Sequence, residues 1–330
     1  MKLLVIGRME RVMRYIPDME ITQRVQIASV SETASVSEIL AAGRDADFVL
    51  ADACFGICGE AIRGMPNLKL IQSEGVAFDK IDLKAAVESG VRVCNCKGVN
   101  AAPVAEVTVL LMLALIKNIR EGDIAVRQGR QMQTKEAMLM GGYGELSGKR
   151  VGLYGFGDIG KEVAVRLNAF GCDVYYYDIF RASAETEQKY GVTYVSEQDL
   201  ISTSEILSLH APVTEETRNL IRAETIAKMR RGVIIVNTAR GELVNGADLR
   251  DALIQGKVAG AAFDTISPEP VTKDNPLVDL PESILPKVFY LPHIGGGTEG
   301  TLRRIYRTLW TNIERISQGL NPIHCVSHRC

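Results

Sequence analysis

Gly155-Phe-Gly157-Asp-Ile-Gly160 has the glycine spacing of a phosphate-binding turn. Six residues alone are a weak signal, and the surroundings strengthen it. The motif follows the apolar run Val151–Tyr154 and opens a helical stretch ending near Gly171. The next apolar run, Val174–Tyr177, ends at Asp178, 23 residues after Gly155. Gly155 permits the tight turn, Gly157 lets the backbone approach a pyrophosphate, and Gly160 lets the helix pack on its strand. The helix amino end offers N–H groups and partial positive charge to the anion. Asp178 would accept hydrogen bonds from an adenosine ribose diol and repel a 2′-phosphate. Two unit charges about 4 Å apart at an effective dielectric near 20 repel by roughly 4 kcal/mol. That favours NAD over NADP, with Arg181 three residues on as a cation that softens the preference. Four further polar residues stand at expected strand ends: Arg240 in Asn237-Thr-Ala-Arg-Gly241, Asp264 after Gly260–Phe263, Glu269 in Ser267-Pro-Glu-Pro270, and His293 in Leu291-Pro-His-Ile-Gly-Gly-Gly297. Ligands of open α/β sheets bind beyond the carboxyl ends of strands, so these four positions can converge.

Two series of elements must position them. Leu3–Gly7, Phe48–Ala51, Leu68–Gln72 and Val91–Asn95 read as buried strands, with helices between them around Ser37–Ala42 and Asp82–Ser89. A second series has strands Arg150–Tyr154, Asp173–Tyr177, Ile206–Leu209, Val233–Asn237, Gly260–Phe263 and Val288–Leu291. Its helices are Ile159–Phe170, Ser196–Ser202, Ala223–Met229 and Gly246–Gln255. The alternation predicts α/β architecture with parallel sheets, and six strands suit a doubly wound nucleotide-binding domain. Between the series, Ala101–Lys117 is apolar nearly all round and reads as a helix buried between domains or subunits. Leu302–Ser317 reads as an amphipathic last helix, with Leu302, Ile305, Leu309, Ile313 and Ile316 on one stripe and Gly319 as terminator. Six of the eleven prolines fall between Pro268 and Pro292, giving stiff, irregular backbone at strand ends.

The 330 residues carry 38 Lys and Arg against 40 Asp and Glu, a formal charge of −2, so no basic excess points to nucleic acid or an anionic membrane. Hydrophobic residues at 46% and charged ones at 24% exclude bulk disorder. The apolar stretch Val104–Ile116 carries Glu106 and is shorter than the roughly 20 residues a bilayer requires. Met1–Gly7 reads as a first strand and not a signal peptide, because arginines follow its short apolar core and no small-residue cleavage site does. The seven cysteines, an odd number in a large chain, argue against a disulfide framework and for a reducing cytoplasm. The pairs Cys54 with Cys58 and Cys94 with Cys96 have no neighbouring histidine, so no metal site is expected. His210 reads as structural, and His324 and His328 as solvated.

Taken in order, Ser73-Glu-Gly-Val-Ala-Phe-Asp-Lys-Ile-Asp82, Asn100-Ala-Ala-Pro-Val-Ala-Glu106, Glu145-Leu-Ser-Gly-Lys149, the glycine turn, Leu209-His-Ala-Pro-Val-Thr214, Asn237–Gly241, Asp264 and Pro292–Gly296 form a specific signature. Over essentially its whole length the chain resembles the D-isomer-specific 2-hydroxyacid dehydrogenase family. The resemblance implies a Rossmann-type cofactor domain over residues 101–295. It also implies a discontinuous flavodoxin-like substrate domain from residues 1–100 plus 296–330, with no room after 330 for a regulatory domain. It implies that His293 is the general acid/base and Glu269 its partner, while Arg240 clamps the substrate's carboxylate and keto oxygen. Backbone N–H groups at Gly75, Val76 and Ala77 would cradle that carboxylate, with Asn100 nearby. Asp158, Ile159, Ala211, Pro212, Thr238, Ala239, Asp264, Gly295 and Gly296 would join the glycine turn and Asp178 in holding NAD. Hydride delivered to a ketone carbon leaves charge on its oxygen, and a positioned imidazole supplies the proton.

Three departures stand out. Ala77 replaces a glycine common in the family. Glu74 sets an acid beside the expected carboxylate site, so it is expected to point away or to select a basic or hydroxylated substrate tail. Arg127–Tyr143 lacks a Trp-bearing stretch that in relatives shapes the subunit contact or site rim. The resemblance implies a homodimer. It leaves two alternatives: an NADH-sensing, corepressor-like binding protein, and a phosphite-type dehydrogenase. Formate oxidation is disfavoured by Glu269, where formate enzymes carry Gln.

Overall fold

The computed structural model describes residues 1–327. The expected readings at His328 and Cys330 lie outside the described residues. By backbone contacts the chain divides into one unit of residues 1–100 and 297–330 and another of residues 101–296.

The first unit holds strands β1 (Lys2–Ile6), β2 (Gln26–Val30), β3 (Phe48–Ala51), β4 (Leu70–Ser73) and β5 (Arg92–Cys94). Its first helices are α1 (Met9–Tyr15), α2 (Val36–Gly43), α3 (Gly59–Arg63) and α4 (Leu83–Glu88). The five strands are parallel in the order β2-β1-β3-β4-β5, the flavodoxin-like arrangement. Alternate residues feed two cores, as a period of two requires. Leu4, Ile6, Val49, Ala51, Ile71 and Val93 face one side, and Leu3, Val5, Phe48, Leu50 and Leu70 the other.

The second unit contains α5 (Ala101–Ile116), α6 (Ile119–Arg127), α7 (Gln131–Met140), β6 (Arg150–Tyr154), α8 (Asp158–Ala169), β7 (Asp173–Tyr177), α9 (Ala184–Tyr190), β8 (Thr193–Tyr194), α10 (Glu197–Thr203) and β9 (Ile206–Leu209). It continues with α11 (Ala223–Lys228), β10 (Val233–Asn237), α12 (Gly246–Ile254), β11 (Val258–Phe263) and β12 (Val288–Tyr290). The seven strands are parallel in the order β12-β11-β10-β9-β6-β7-β8, a Rossmann order extended by one strand. The chain then returns to the first unit through α13 (Glu299–Ser317), whose Tyr306, Leu309, Trp310 and Ile313 enter that unit's core.

Three differences from the sequence reading have physical causes. The second sheet has seven strands, because the short edge strand β8 is too brief to show a period. In the first unit β2 is an edge strand whose Gln26 is exposed, so it presents no continuous apolar run. Helix α5, read as buried between domains or subunits, has its packing within the second unit. It packs on α8 and on β10, β11 and β12 within the second unit, where its apolar surface covers one face of a sheet that is itself apolar.

His210 follows β9. Its Nε2 lies 2.9 Å from Ser208 Oγ, and its Nδ1 is buried with no hydrogen-bond partner among the described residues. Burial pushes its pKa from 6.5 down to about 3. The unfolded chain therefore takes up a proton below about pH 6.5 that the folded chain refuses, and stability falls as pH drops through that window. One such proton sets a slope of about 1.4 kcal/mol per pH unit. Urea midpoints measured between pH 7 and pH 4 are expected to fall less steeply for His210→Gln than for the parent.

Candidate active site

Register defines one edge of the larger sheet. Tyr177 pairs with Tyr154, Tyr154 with Leu209, Leu209 with Asn237, Asn237 with Phe263 and Phe263 with Tyr290. The turns carrying Asp178, Gly155, Ala211, Arg240, Asp264 and His293 all leave from this row.

At the glycine turn, Gly155 has φ +100°, a conformation that disfavours side chains, and a Cβ there would lie 2.7 Å from the His210 carbonyl carbon. A Cβ on Gly160 would meet the Gly155 carbonyl oxygen at 2.6 Å, whereas one on Gly157 would find nothing within 4 Å. The first and last glycines therefore close the turn, and the middle one leaves open space in front of the backbone. Gly157 caps α8, and the first-turn N–H groups at Asp158, Ile159 and Gly160 have no intrahelical acceptors by helix geometry. These features fit a pyrophosphate. Asp178 Oδ2 accepts from Phe156 N–H at 2.7 Å and Oδ1 from Phe180 N–H at 3.0 Å, which fixes the carboxylate beside the turn. Arg181 is turned onto Glu187, with contacts of 2.8 and 3.1 Å, and its guanidinium lies over the Tyr194 ring. The Arg181 pair, followed by the Tyr176 hydroxyl, holds the Glu187 carboxyl below its ordinary range.

After β10, the buried Asn237 shapes its own turn. Its Nδ2 donates to the Arg240 carbonyl at 2.8 Å and its Oδ1 accepts from Ala239 N–H at 3.0 Å. Thr238 is buried and bonds Thr108 of α5 at 2.8 Å. Arg240 is half-buried, with Nη1 donating to the Ala239 carbonyl at 2.8 Å. A Cβ on Gly241 would stand 2.2 Å from Ser267 N, so this turn lies directly against the start of the loop bearing Glu269. Asn275 holds that loop from beyond, donating to the Ser267 carbonyl at 3.0 Å.

His293 and Glu269 meet. Nδ1 lies 2.9 Å from Glu269 Oε2, and both side chains are over two-fifths exposed. His293 has φ +54°, the left-handed region in which a non-glycine residue is strained. Its support is Asp264, whose oxygens accept from Ile294 N–H at 2.9 Å and Gly295 N–H at 2.8 Å. A Cβ on Gly295 would come within 2.7 Å of Asp264 Oδ2, so the close approach requires glycine. Asp264, expected against the dinucleotide, is thus 3% exposed with both oxygens engaged by the His293 loop. Sequence reasoning missed the supporting duties of Asn237, Asn275 and Asp264. The signal available was a polar residue at a strand end or within the proline-rich loop. Gly296 follows this loop, and Pro212 follows the buried Ala211, its carbonyl accepting from Thr217 Oγ1 at 2.7 Å.

In the first unit, the loop after β4 turns its carbonyls inward. Gly75 O accepts from Cys96 N–H at 2.8 Å, Val76 O from Asn95 Nδ2 at 2.8 Å and Ala77 O from Ser73 Oγ at 2.5 Å. A trans peptide sets each N–H opposite the preceding carbonyl, so the N–H groups of Val76, Ala77 and Phe78 point the other way. Three successive N–H groups facing away from those bonds can hold a carboxylate, and two of them, at Val76 and Ala77, belong to the expected set. Asn100 ends this unit one residue after Val99, whose carbonyl accepts two bonds from Arg304 of α13 at 2.9 and 2.7 Å. Asp82, in the same motif, caps α4 through Ala85 N–H. Among the described residues no group of three His, Cys, Asp or Glu side chains could hold a metal ion.

The model of the D-isomer-specific 2-hydroxyacid dehydrogenase NAD-binding domain matches residues 109–295. The chain is 36% identical over 292 residues to hydroxypyruvate reductase of Thermotoga maritima, covering 87% of this chain and 92% of that one. It is 33% identical over 284 residues to glyoxylate reductase of Korarchaeum cryptofilum, covering 86% and 83%. It also matches D-3-phosphoglycerate dehydrogenase of Archaeoglobus fulgidus at 38% identity, but spans only 47% of that relative. Among solved structures, D-lactate dehydrogenase from Aquifex aeolicus, complexed with NAD and lactic acid, superposes with a TM-score of 0.83 at 27% identity and covers 100% of both chains. The names of these relatives are those of enzymes of 2-hydroxy and 2-keto acids, so the sensing and phosphite alternatives are not favoured.

Asp264→Asn keeps the shape but leaves one of the two loop N–H groups without a carboxylate acceptor. Amide exchange at Ile294 and Gly295, followed by mass spectrometry or NMR, is expected to accelerate about tenfold, the equivalent of roughly 1.4 kcal/mol.

Proposed function

The chain belongs to the D-isomer-specific 2-hydroxyacid dehydrogenase family and uses NAD, and on that premise we propose that it reduces a small 2-keto acid to the D-2-hydroxy acid, with His293 as general acid/base. The observation that carries the residue assignment is the 2.9 Å contact between His293 Nδ1 and Glu269 Oε2. When bound, NADH supplies the hydride to the carbonyl carbon. His293 delivers a proton from Nε2 to the carbonyl oxygen, and in the reverse direction takes it back. Glu269, accepting from Nδ1–H, fixes the ring's orientation and tautomer. Arg240 offers a planar fork to the substrate's carboxylate and keto oxygen. The outward N–H groups of the Gly75–Ala77 loop, with Asn100, receive the same carboxylate.

The glycine turn would hold NAD, with the free N–H groups at the amino end of α8 receiving its pyrophosphate. Ala211, Pro212, Thr238, Ala239, Gly295 and Gly296 would border it. Preference for NAD over NADP is supported by Asp178 and by the engagement of Arg181 with Glu187. The cation that would otherwise soften the preference already has a carboxylate partner.

A panel of glyoxylate, hydroxypyruvate and 3-phosphohydroxypyruvate, read at the NADH and NADPH absorbance band, tests the reading. Turnover with at least one acid, faster with NADH, is expected, and His293→Ala should lower kcat/KM by about 10²–10⁴-fold. Unchanged turnover in that variant would remove His293 from the chemistry.

The proposal extends to a homodimer. Helix α7 has no buried residue and exposes Met132, Leu139 and Met140, while α6 exposes Ile119 and Val126. Apolar surface of this kind on neighbouring helices marks an interaction site. Sedimentation at micromolar concentration is expected to show two chains per particle, and a Val126→Glu/Leu139→Glu double variant one. No single helix among the described residues is long and apolar enough to cross a membrane. A cytoplasmic enzyme without nucleic-acid or membrane partners is the reading that the formal charge of −2 supports.

A further inference from the structure

Glu74 precedes the Gly75–Ala77 loop, and an outward carboxylate there would repel an arriving anion. It is turned the other way. Its side chain is 4% exposed inside the first unit, where Oε1 accepts from the Tyr306 hydroxyl of α13 and lies 3.1 Å from Arg11 Nη1 of α1. Desolvation pushes its carboxyl above the ordinary range, and the Tyr306 and Arg11 contacts pull it back. Tyr306 is fully buried and its ring stacks on Tyr15 at 6.1 Å. The Glu74 backbone is tied as well, its N–H donating to the Ala51 carbonyl at 2.8 Å. The next residue has no slack, since a Cβ on Gly75 would stand 3.1 Å from the Ala53 Cβ.

A buried acid held by a cation and a phenol is a poor way to gain stability, because apolar side chains of the same volume often do as well or better. What this cluster supplies that apolar packing would not is a directional hold on the first residue of the loop. We propose that Arg11, Glu74 and Tyr306 are positioning residues for the substrate's carboxylate, fixing the loop whose N–H groups at Val76, Ala77 and Phe78 receive it. The proposal rests on the reading of that loop as the carboxylate site. The carboxylate is common to every 2-keto acid, so the three residues act on KM for the acid whatever its tail, and not on NADH.

Tyr306→Phe and Glu74→Gln test this beside Gly75→Ala, which disturbs the loop directly. Glu74→Gln keeps the volume and an acceptor for Tyr306, and Arg11 is exposed enough to rehydrate. The measurements are KM and kcat on glyoxylate and hydroxypyruvate, NADH dissociation by fluorescence, and Tm. Tyr306→Phe and Glu74→Gln are each expected to raise KM about tenfold on both acids, with kcat and NADH affinity unchanged, the mark of lost uniform binding. A fall in Tm with KM unmoved would overturn the proposal, since the cluster would then be structural only. If Gly75→Ala alone raises KM, the anchoring idea fails and the carboxylate reading stands. If none of the three moves KM, both fail.

Discussion

In-register parallel pairing brings Tyr177, Tyr154, Leu209, Asn237, Phe263 and Tyr290 to one edge of the seven-stranded sheet. Asp178, Gly155, Ala211, Arg240, Asp264 and His293 each follow within three residues of that row. Residues far apart in sequence thus become neighbours, because strands in a sheet lie about 4.8 Å apart while each residue advances the chain about 3.3 Å. A slip of one residue in β11 against β10 would displace Asp264 and exchange the faces of Ala262 and Phe263. The two apolar cores resist such a slip, because Ala262 and Phe263 belong to opposite ones.

Placement at an edge does not by itself aim a side chain. The His293–Glu269 contact spans two loops, each restrained by buried polar groups. Asp264 binds the backbone just after His293, and Asn275 binds the backbone just before Pro268. With both partners over two-fifths exposed, the contact contributes little to stability on its own. The left-handed backbone at His293 is a local cost, offset by two hydrogen bonds to a carboxylate. The loops therefore determine the geometry of the pair, and the pair does not hold the loops.

Where one segment carries both the period and the chemistry, the sequence is readable. The glycine turn, Asp178, the central strands and the stripe of α13 appear with boundaries shifted by up to three residues, because apolar alternation and glycine spacing are local properties. The edge strand β2 is hidden because Gln26 and Ser29 break the apolar run, and α1 because Arg8, Glu10, Arg11 and Arg14 give it a charged surface. No local pattern announces that Arg11 and Tyr306 close on Glu74, a contact spanning 232 residues in the case of Tyr306. Which N–H groups of the Gly75–Ala77 loop face away from the core likewise depends on which carbonyls find donors inside the fold, and those donors come from Cys96, Asn95 and Ser73.

A division of labour by burial runs through both units. Asn237, Asp264 and Asn275 in the second unit, and Glu74 in the first, are polar and nearly inaccessible; Asp264 and Glu74 bond a neighbouring loop or helix, while Asn237 and Asn275 brace their own loops. Arg240, Glu269 and His293 keep accessible surface, and the polar atoms outside the His293–Glu269 and Arg240–Ala239 contacts are available to solvent or a ligand. A buried polar group left unpaired costs on the order of 1–3 kcal/mol, so its partners are set once the chain folds. An exposed one keeps its bonding capacity for whatever arrives. Polarity at a strand end therefore does not identify a reactive residue until burial is known. Asp264 and His293 both follow strands of the sheet, yet the first is buried and secures the loop while the second keeps accessible surface.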